Sequence, residues 1–158
     1  MKKVCVDTNF LVWAVKQKAT VGQEYLISIA KKIVDFFEEN GVTIVVPSLV
    51  LGELLSDIEA EDERSLLTNF ISENFIVVQY DILCAIEFAR LRVNMDKNIL
   101  KEHRVQNSIT QTRMKTDYNI CASAIAKNCD AIITNNKKDF IKYSAGHINI
   151  YTLEDVND

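Results

Sequence analysis

The sequence predicts an α/β fold of three layers, α/β/α, with a central five-stranded parallel sheet between two layers of helices. Three observations support this fold class. Five short apolar runs have the length and composition of buried strands, and segments with apolar residues at helical spacing separate them. The chain has 158 residues, 48% hydrophobic and 25% charged, which suits a single domain over residues 1–158.

The first half of the chain alternates strands and helices. Residues 4–6 are predicted to form a buried strand, and residues 21–40 carry apolar side chains at helical spacing before an Asn-Gly stop. A β-branched strand follows at residues 42–46. The next helix spans residues 48–58, with Ser48 placed to cap it, and an acidic helix begins near Asp62.

The second half continues the same alternation after a polar interruption. Residues 75–80 are a predicted strand, and Asp81 is placed to cap the helix that follows it. The apolar pattern is lost over residues 94–115, after which Thr116 is placed to cap a helix that runs to residue 128. The last two predicted strands are residues 131–134 and 148–152, with a short helical piece between them.

Composition argues against several other classes of protein. The four cysteines and two histidines show no spacing typical of a zinc site, so the cysteines are expected to be buried thiols. No apolar stretch approaches the ~20 residues of a membrane span, and Asp7 ends the first apolar run too early for a signal peptide. We therefore expect a cytoplasmic protein with no membrane partner. A net charge of −4 disfavours a general nucleic-acid coat protein but allows a nuclease with an acidic site.

Four acidic residues follow successive elements of the predicted sheet: Asp7, Glu53, Asp117 and Asp139. Functional groups collect at the carboxyl ends of parallel strands, so these side chains are expected to lie together. Each alone is also explained as a helix cap or as a charge favoured near a helix N-terminus. Together they repel one another unless a hard cation neutralises them, and all-oxygen ligands suit Mg²⁺ or Mn²⁺. The pattern favours metal-assisted phosphodiester hydrolysis.

Four segments resemble the ordered motifs of the PIN-domain family. They are residues 4–11 (VCVDTNFL), 47–54 (PSLVLGEL), 117–124 (DYNICASA) and 131–140 (AIITNNKKDF). The resemblance runs nearly end to end and implies the five-stranded parallel sheet. It also implies one or two Mg²⁺ or Mn²⁺ ions, held by Asp7, Glu53 and Asp117, and hydrolysis of RNA to a 5′-phosphate. Short members of this family are most often VapC-type toxins, which implies a homodimer and a small antitoxin partner that fills the acidic groove.

The sequence departs from the family pattern in its fourth motif. Many members have an aspartate where this chain has Asn136, and Asp139 is the alternative candidate for the fourth acidic position. A further set of residues is placed to hydrogen-bond the carboxylates, although turn and cap roles explain them equally well. These residues are Thr8, Asn9, Thr134, Asn135 and Asn136.

The polar stretch before Asp117 is longer than a minimal toxin of this family needs. Its cations are Lys97, Lys101, Arg104, Arg113 and Lys115. They are candidates for gripping RNA phosphates, since cationic contacts dominate nucleic-acid affinity. The alternative is a solvated polar loop, and His103 within it is expected to be a surface residue rather than a ligand.

Two other functions compete with a ribonuclease. A non-catalytic PIN scaffold that binds RNA or a protein partner would share the fold, but it would have no use for clustered repulsive acids. A DNA-directed nuclease of related fold would share the chemistry, because no residue pattern here identifies a contact to the 2′-hydroxyl. A dehalogenase-like phosphatase is disfavoured, because it would need an acid at position 9, where this chain has Asn9.

Overall fold

The computed structural model of the protein describes residues 1–95 and 97–157. The strands of this part are β1 (Lys3–Val6), β2 (Thr43–Pro47), β3 (Ile76–Val78), β4 (Ala131–Ile133) and β5 (Asn149–Tyr151). They form one parallel sheet in the order β3-β2-β1-β4-β5. With helices between the strands, the predicted three-layer fold around five parallel strands is confirmed.

The central strand β1 organises the sheet. It pairs with β2 through Val4 opposite Ile44, and with β4 through Val4 opposite Ala131. All three side chains are buried, as expected for a parallel sheet covered on both faces. Because the strands run parallel, their carboxyl ends finish at one edge of the sheet, and the chain leaves β1 there at Asp7.

The segment after β1 contains a feature that sequence analysis did not identify. Asp7 caps a short helix, α1 (Thr8–Leu11), by accepting a hydrogen bond from the Phe10 backbone N–H at 2.9 Å. The helix continues directly into a π turn at Val12–Lys16. Gln17, with φ of 52°, ends this turn in the left-handed region. Such π turns are rare and occur often at functional sites.

The helices of the first half agree with the sequence apart from their ends. They are α2 (Tyr25–Glu39), α3 (Ser48–Ser56) and α4 (Glu61–Asn74). The prediction started α2 four residues too early. Ser48 is not the cap of α3 but its first helical residue, and Pro47 occupies the cap position without a side-chain hydrogen bond. Proline suits this boundary because its fixed φ permits an extended-to-helical change.

The helices of the second half are α5 (Ile82–Val93), α6 (Lys97–Gln106), α7 (Gln111–Ala126), α8 (Lys137–Ser144) and α9 (Leu153–Asn157). Asp81 caps α5 as predicted, since its carboxylate accepts hydrogen bonds from the Leu83 and Cys84 backbone N–H groups. The strand predicted for residues 75–80 is shorter, being limited to β3.

The largest difference from the sequence prediction lies between α5 and α7. The stretch over residues 94–115 was expected to be irregular, but it contains α6 and the first residues of α7. Thr110, not Thr116, caps α7 by accepting a hydrogen bond from the Arg113 backbone N–H at 3.1 Å. Asp117 therefore lies in the second turn of α7 rather than the first.

The cysteines are free thiols, as predicted. Cys5, Cys84 and Cys121 are buried, and Cys129 is partly buried. Across residues 1–95 and 97–157, no helix is both long enough and apolar enough to cross a membrane.

The position of the α7 cap is testable with two threonine variants. Thr110→Ala should lower the free energy of unfolding by about 1 kcal/mol, the usual cost of losing a cap. Thr116→Ala is the control, because the Thr116 hydroxyl only donates to the Thr112 carbonyl within the helix. Urea denaturation should show a change below about 0.5 kcal/mol for the control. An equal loss in both variants would contradict the assignment.

Candidate active site

A cleft of about 570 Å³ opens at the carboxyl edge of the sheet. We call it the carboxylate cleft, because its acidic lining residues are Asp7, Glu53, Asp57 and Asp117. Asp7 directly follows β1, Glu53 lies on α3 and Asp57 directly after it, and Asp117 lies on α7. The parallel register explains why segments so distant in the chain meet here.

Asp7 is the most constrained of these acids. Only 5% of the residue is exposed, and each carboxylate oxygen accepts a hydrogen bond. Oδ1 accepts from the Phe10 backbone N–H at 2.9 Å, and Oδ2 accepts from the Thr134 hydroxyl at 2.6 Å. Burial raises the pKa of Asp7 to about 6. The two hydrogen bonds oppose this rise, and the nearby charge of Glu53 adds to it.

Asp117 is buried on the inner face of α7. Burial raises its pKa to about 7, while the Arg113 guanidinium opposes the rise. The charges of Asp7, Asp139 and Glu53 raise the pKa of Asp117 further. Both acids thus have raised pKa values in one cleft, chiefly because they are buried, and the neighbouring negative charges add to the rise.

Glu53 lies at the exposed rim of the cleft rather than in its floor. The Thr8 hydroxyl donates a hydrogen bond to its Oε2 atom. Thr8 and Thr134 thus contact carboxylates of the site, while Asn9 also lines the cleft. Asn135 lies outside the carboxylate cleft, and its Oδ1 atom accepts a hydrogen bond from the Leu153 backbone N–H.

At the fourth motif, the structure brings Asn136 rather than Asp139 to the cleft. The Asn136 amide nitrogen lies 3.4 Å from Asp117 Oδ2, and Asn136 lines the cleft. Asp139 is buried behind it, where its Oδ1 atom lies 2.7 Å from His103 Nε2. Asp139 influences Asp117 through its charge, but it does not line the carboxylate cleft.

The prediction that His103 is a surface residue was wrong. His103 is 6% exposed and pairs with Asp139, while the Asn107 amide lies 3.2 Å from its Nδ1 atom. Donation from Asn107 to Nδ1 leaves the proton on Nε2 to donate to Asp139. The missed signal was the spacing of Leu100 and His103, which places both on the buried face of α6.

Cations at the cleft differ from those expected from the sequence. Of the five predicted, only Arg113 lines the carboxylate cleft. The others are Lys97, Lys101, Arg104 and Lys115, which lie outside it. Lys16, which sequence analysis did not select, lines the cleft from the π turn and donates to the Leu54 carbonyl at 2.8 Å. Its position depends on the π turn, which no local sequence signal identified.

The donor set fits a hard divalent cation. No group of three or more His, Cys, Asp or Glu side chains within the described residues is close enough to hold a metal ion jointly. Mg²⁺ requires less, because it commonly binds through one or two carboxylates and retains several waters. Asp7 and Asp117 are buried, line one cleft and offer only oxygen atoms, so the chemistry of these two residues suits such a cation.

The family model of the PIN domain matches residues 4–146. The fold is similar to that of a chain in the crystal structure of VapBC2 from Rickettsia felis bound to a DNA fragment from their promoter. The similarity covers 95% of this chain and 98% of that chain. The TM-score is 0.65 at 18% identity. A chain in the crystal structure of DNA-bound VapBC from Salmonella typhimurium has a TM-score of 0.63 at 18% identity. That similarity covers 97% of this chain and 99% of the other. No curated protein matches the sequence.

The burial of Asp117 predicts that replacing this carboxylate stabilises the protein at high pH. Asp117 binds its proton more tightly in the folded state, where its pKa is about 7, than in the unfolded state, where the pKa has its ordinary value of 3.8. The metal-free protein therefore loses stability as pH rises through this window. Asp117→Asn should raise the free energy of unfolding by on the order of 2–4 kcal/mol at about pH 8, and by little near pH 4.

Urea denaturation in EDTA at both pH values measures this effect. Asp35→Asn, at an exposed carboxylate on α2, is the control and should show no such pH-dependent gain. Destabilisation of Asp117→Asn at the higher pH would show that the carboxylate is satisfied in the metal-free protein.

The buried pair of His103 and Asp139 predicts a second effect on stability. His103→Ala leaves a buried carboxylate without its partner, so it should lower the free energy of unfolding by about 2–4 kcal/mol. Lys101→Ala, at an exposed position of the same helix, should change it by less than about 0.5 kcal/mol. Urea denaturation of the two variants measures the difference, and equal effects would refute the pairing.

Proposed function

Because this chain belongs to the PIN-domain family, we propose that it is a Mg²⁺- or Mn²⁺-dependent endoribonuclease that hydrolyses RNA phosphodiester bonds. The observation that carries the proposal is the pair of buried acids, Asp7 and Asp117, whose pKa values are raised in one cleft. A scaffold protein gains nothing from this destabilising pair. A metal-dependent nuclease needs it, because the cation binds where the charge is left unpaired.

Asp7 and Asp117 would hold the cation, while Glu53 lies at the rim of the same cleft. A divalent cation there neutralises these carboxylates and stabilises the negative charge that develops on a phosphodiester during hydrolysis. The Phe10 backbone and the Thr134 hydroxyl fix the orientation of Asp7, so that this carboxylate needs no rearrangement to bind. Asn136 supplies an amide at the position where many relatives have an acid.

Arg113 and Lys16 counter the negative charge of the cleft at its lining. A polyanionic substrate would otherwise be repelled by the acids of the site, and these two cations provide contacts to its phosphates. Thr8 orients Glu53, and Asp139 contributes only its charge, since His103 holds it away from the cleft. In this proposal Asp139 is therefore a structural residue rather than a ligand.

We also propose that the enzyme acts as the toxin of a toxin–antitoxin pair. The two solved chains compared above come from VapBC assemblies, which supports a small antitoxin as the partner of this chain. A homodimer is part of the same proposal. The start of α5 supports it, because Ile82, Leu83 and Ile86 are apolar and exposed there.

Cleavage of labelled single-stranded RNA and of matched DNA tests the proposal. With Mn²⁺ or Mg²⁺ the protein should cleave RNA, and EDTA should abolish the cleavage. Asp7→Asn should lower kcat by about a hundredfold or more, since even partners one step removed from a metal change activity by about 10–100-fold. Asp35→Asn, away from the cleft, should retain the activity.

The outcomes separate the competing functions. Metal-dependent cleavage of DNA alone would keep the chemistry and replace the substrate. Absence of both cleavage and calorimetric metal binding would establish the non-catalytic scaffold. Equal activity in Asp7→Asn and the unmodified protein would exclude the assigned site.

A further inference from the structure

A second cleft adjoins the carboxylate cleft. It has a volume of about 440 Å³, within the range of roughly 300–1,000 Å³ typical of ligand pockets. The two clefts meet at Asn9, Val12, Arg113 and Asn136, which line both of them. Its remaining lining residues are Trp13, Lys18, Ala19, Thr20, Gln23 and Asn135. We call it the donor cleft.

The donor cleft has the opposite chemical character to its neighbour. Among the described residues that line it, none is acidic, whereas the carboxylate cleft has four acids. Lys18 and Arg113 provide its positive charge. Neither side chain takes part in an ion pair or a side-chain hydrogen bond within residues 1–95 and 97–157. Arg113 also lines the carboxylate cleft, where its charge lowers the pKa of Asp117. In a chain of net charge −4, a concave surface lined by two cations and no acid favours an anionic ligand.

The neutral lining residues also offer donors. The carbonyl oxygen of Gln23 is occupied by the Thr20 hydroxyl at 2.8 Å, and that of Asn135 by the Leu153 backbone N–H at 3.3 Å. Their NH₂ groups have no acceptor in the described part of the chain. Trp13 is 5% exposed, and its indole N–H likewise has no acceptor within residues 1–95 and 97–157. The cleft therefore presents free donors next to an apolar ring edge.

We propose that the donor cleft binds the nucleotide adjacent to the scissile phosphate of a single-stranded nucleic acid. Lys18 and Arg113 contact its phosphate, and the free amide donors of Gln23 and Asn135 contact acceptor atoms at the edge of its base. Nucleobases are rich in such acceptors, and Arg and Lys bind phosphate directly. This inference rests on the proposed nuclease function, because it takes the carboxylate cleft as the point of cleavage.

The π turn makes the two clefts possible. Within five residues it places Val12 at the shared wall, Trp13 in the donor cleft and Lys16 in the carboxylate cleft. The left-handed Gln17 then redirects the chain, and Lys18 enters the donor cleft while its backbone N–H bonds to the Val12 carbonyl. A single backbone irregularity thus distributes the cations between the two binding regions.

Fluorescence of Trp13 tests the proposal directly, since it is the only tryptophan in the chain. The unmodified protein in EDTA is titrated with a single-stranded RNA tetranucleotide of mixed sequence, with anisotropy of a labelled copy as the independent measure of binding. Trp13 emission should change with the same midpoint as the anisotropy. Lys18→Gln should weaken binding about fivefold at low salt and reduce the slope of log affinity against log salt by about 0.7.

Two controls separate this site from diffuse attraction. Lys32→Gln removes an exposed charge on α2, outside both clefts, and should leave the affinity within about twofold. Gln23→Ala should weaken binding of the tetranucleotide about threefold or more, as for one hydrogen bond, and leave an abasic oligonucleotide of equal length unaffected. Equal losses from Lys18→Gln and Lys32→Gln, or binding with unchanged Trp13 emission, would overturn the proposal.

Failure here is distinguishable from failure of the proposed function. The titration needs neither metal nor cleavage, so a protein that binds as described but does not hydrolyse RNA overturns the nuclease and retains the donor cleft as a nucleotide site without a scissile phosphate beside it. A protein that hydrolyses RNA with metal while Trp13 stays silent overturns only the nucleotide site. Absence of tetranucleotide binding by both measures also overturns the nucleotide site, and the cleavage assay then decides the nuclease independently.

Discussion

Everything at this site depends on one constraint, the parallel pairing of β1 with β2 and β4. That register ends the central strands at a common edge and brings Asp7 close to groups that lie more than a hundred residues away, such as Asp117 and Thr134. Burial at this edge makes the carboxylates costly, because water no longer screens their mutual repulsion. Burial first, and the mutual repulsion of the carboxylates second, therefore raise the pKa values of Asp7 and Asp117.

Hydrogen bonds from the surrounding residues hold these carboxylates in place. Thr134 and the α1 backbone hold Asp7, and Thr8 holds Glu53. Asp139 adds a further negative charge nearby, but its pairing with His103 directs the carboxylate into the protein interior. The same pairing attaches α6 to α8, so an acid at the end of the fourth motif contributes to architecture in this chain.

The sequence was sufficient for the sheet and for the acids, because both depend on local patterns. Buried parallel strands appear as continuous apolar runs, and Asp7 and Asp117 follow directly from their positions relative to those runs. The rest depends on contacts between distant segments. His103 appears polar and exposed until α8 supplies Asp139, and Lys16 reaches the carboxylate cleft only through the π turn. The cap of α7 was misplaced because Thr110 and Thr116 are equally suitable by residue type.

The π turn makes the position of Lys16 sensitive to the number of residues after α1. A π turn contains one residue more than the α-helical turn it replaces, so deleting one residue there restores a regular helix. Every side chain beyond the deletion then rotates by about 100° around the axis. Lys16 would leave the carboxylate cleft while Asp7, Asp117 and the sheet stay in place. A change of one residue in the length of the chain after α1 would thus alter the cations around the acids without altering the acids themselves.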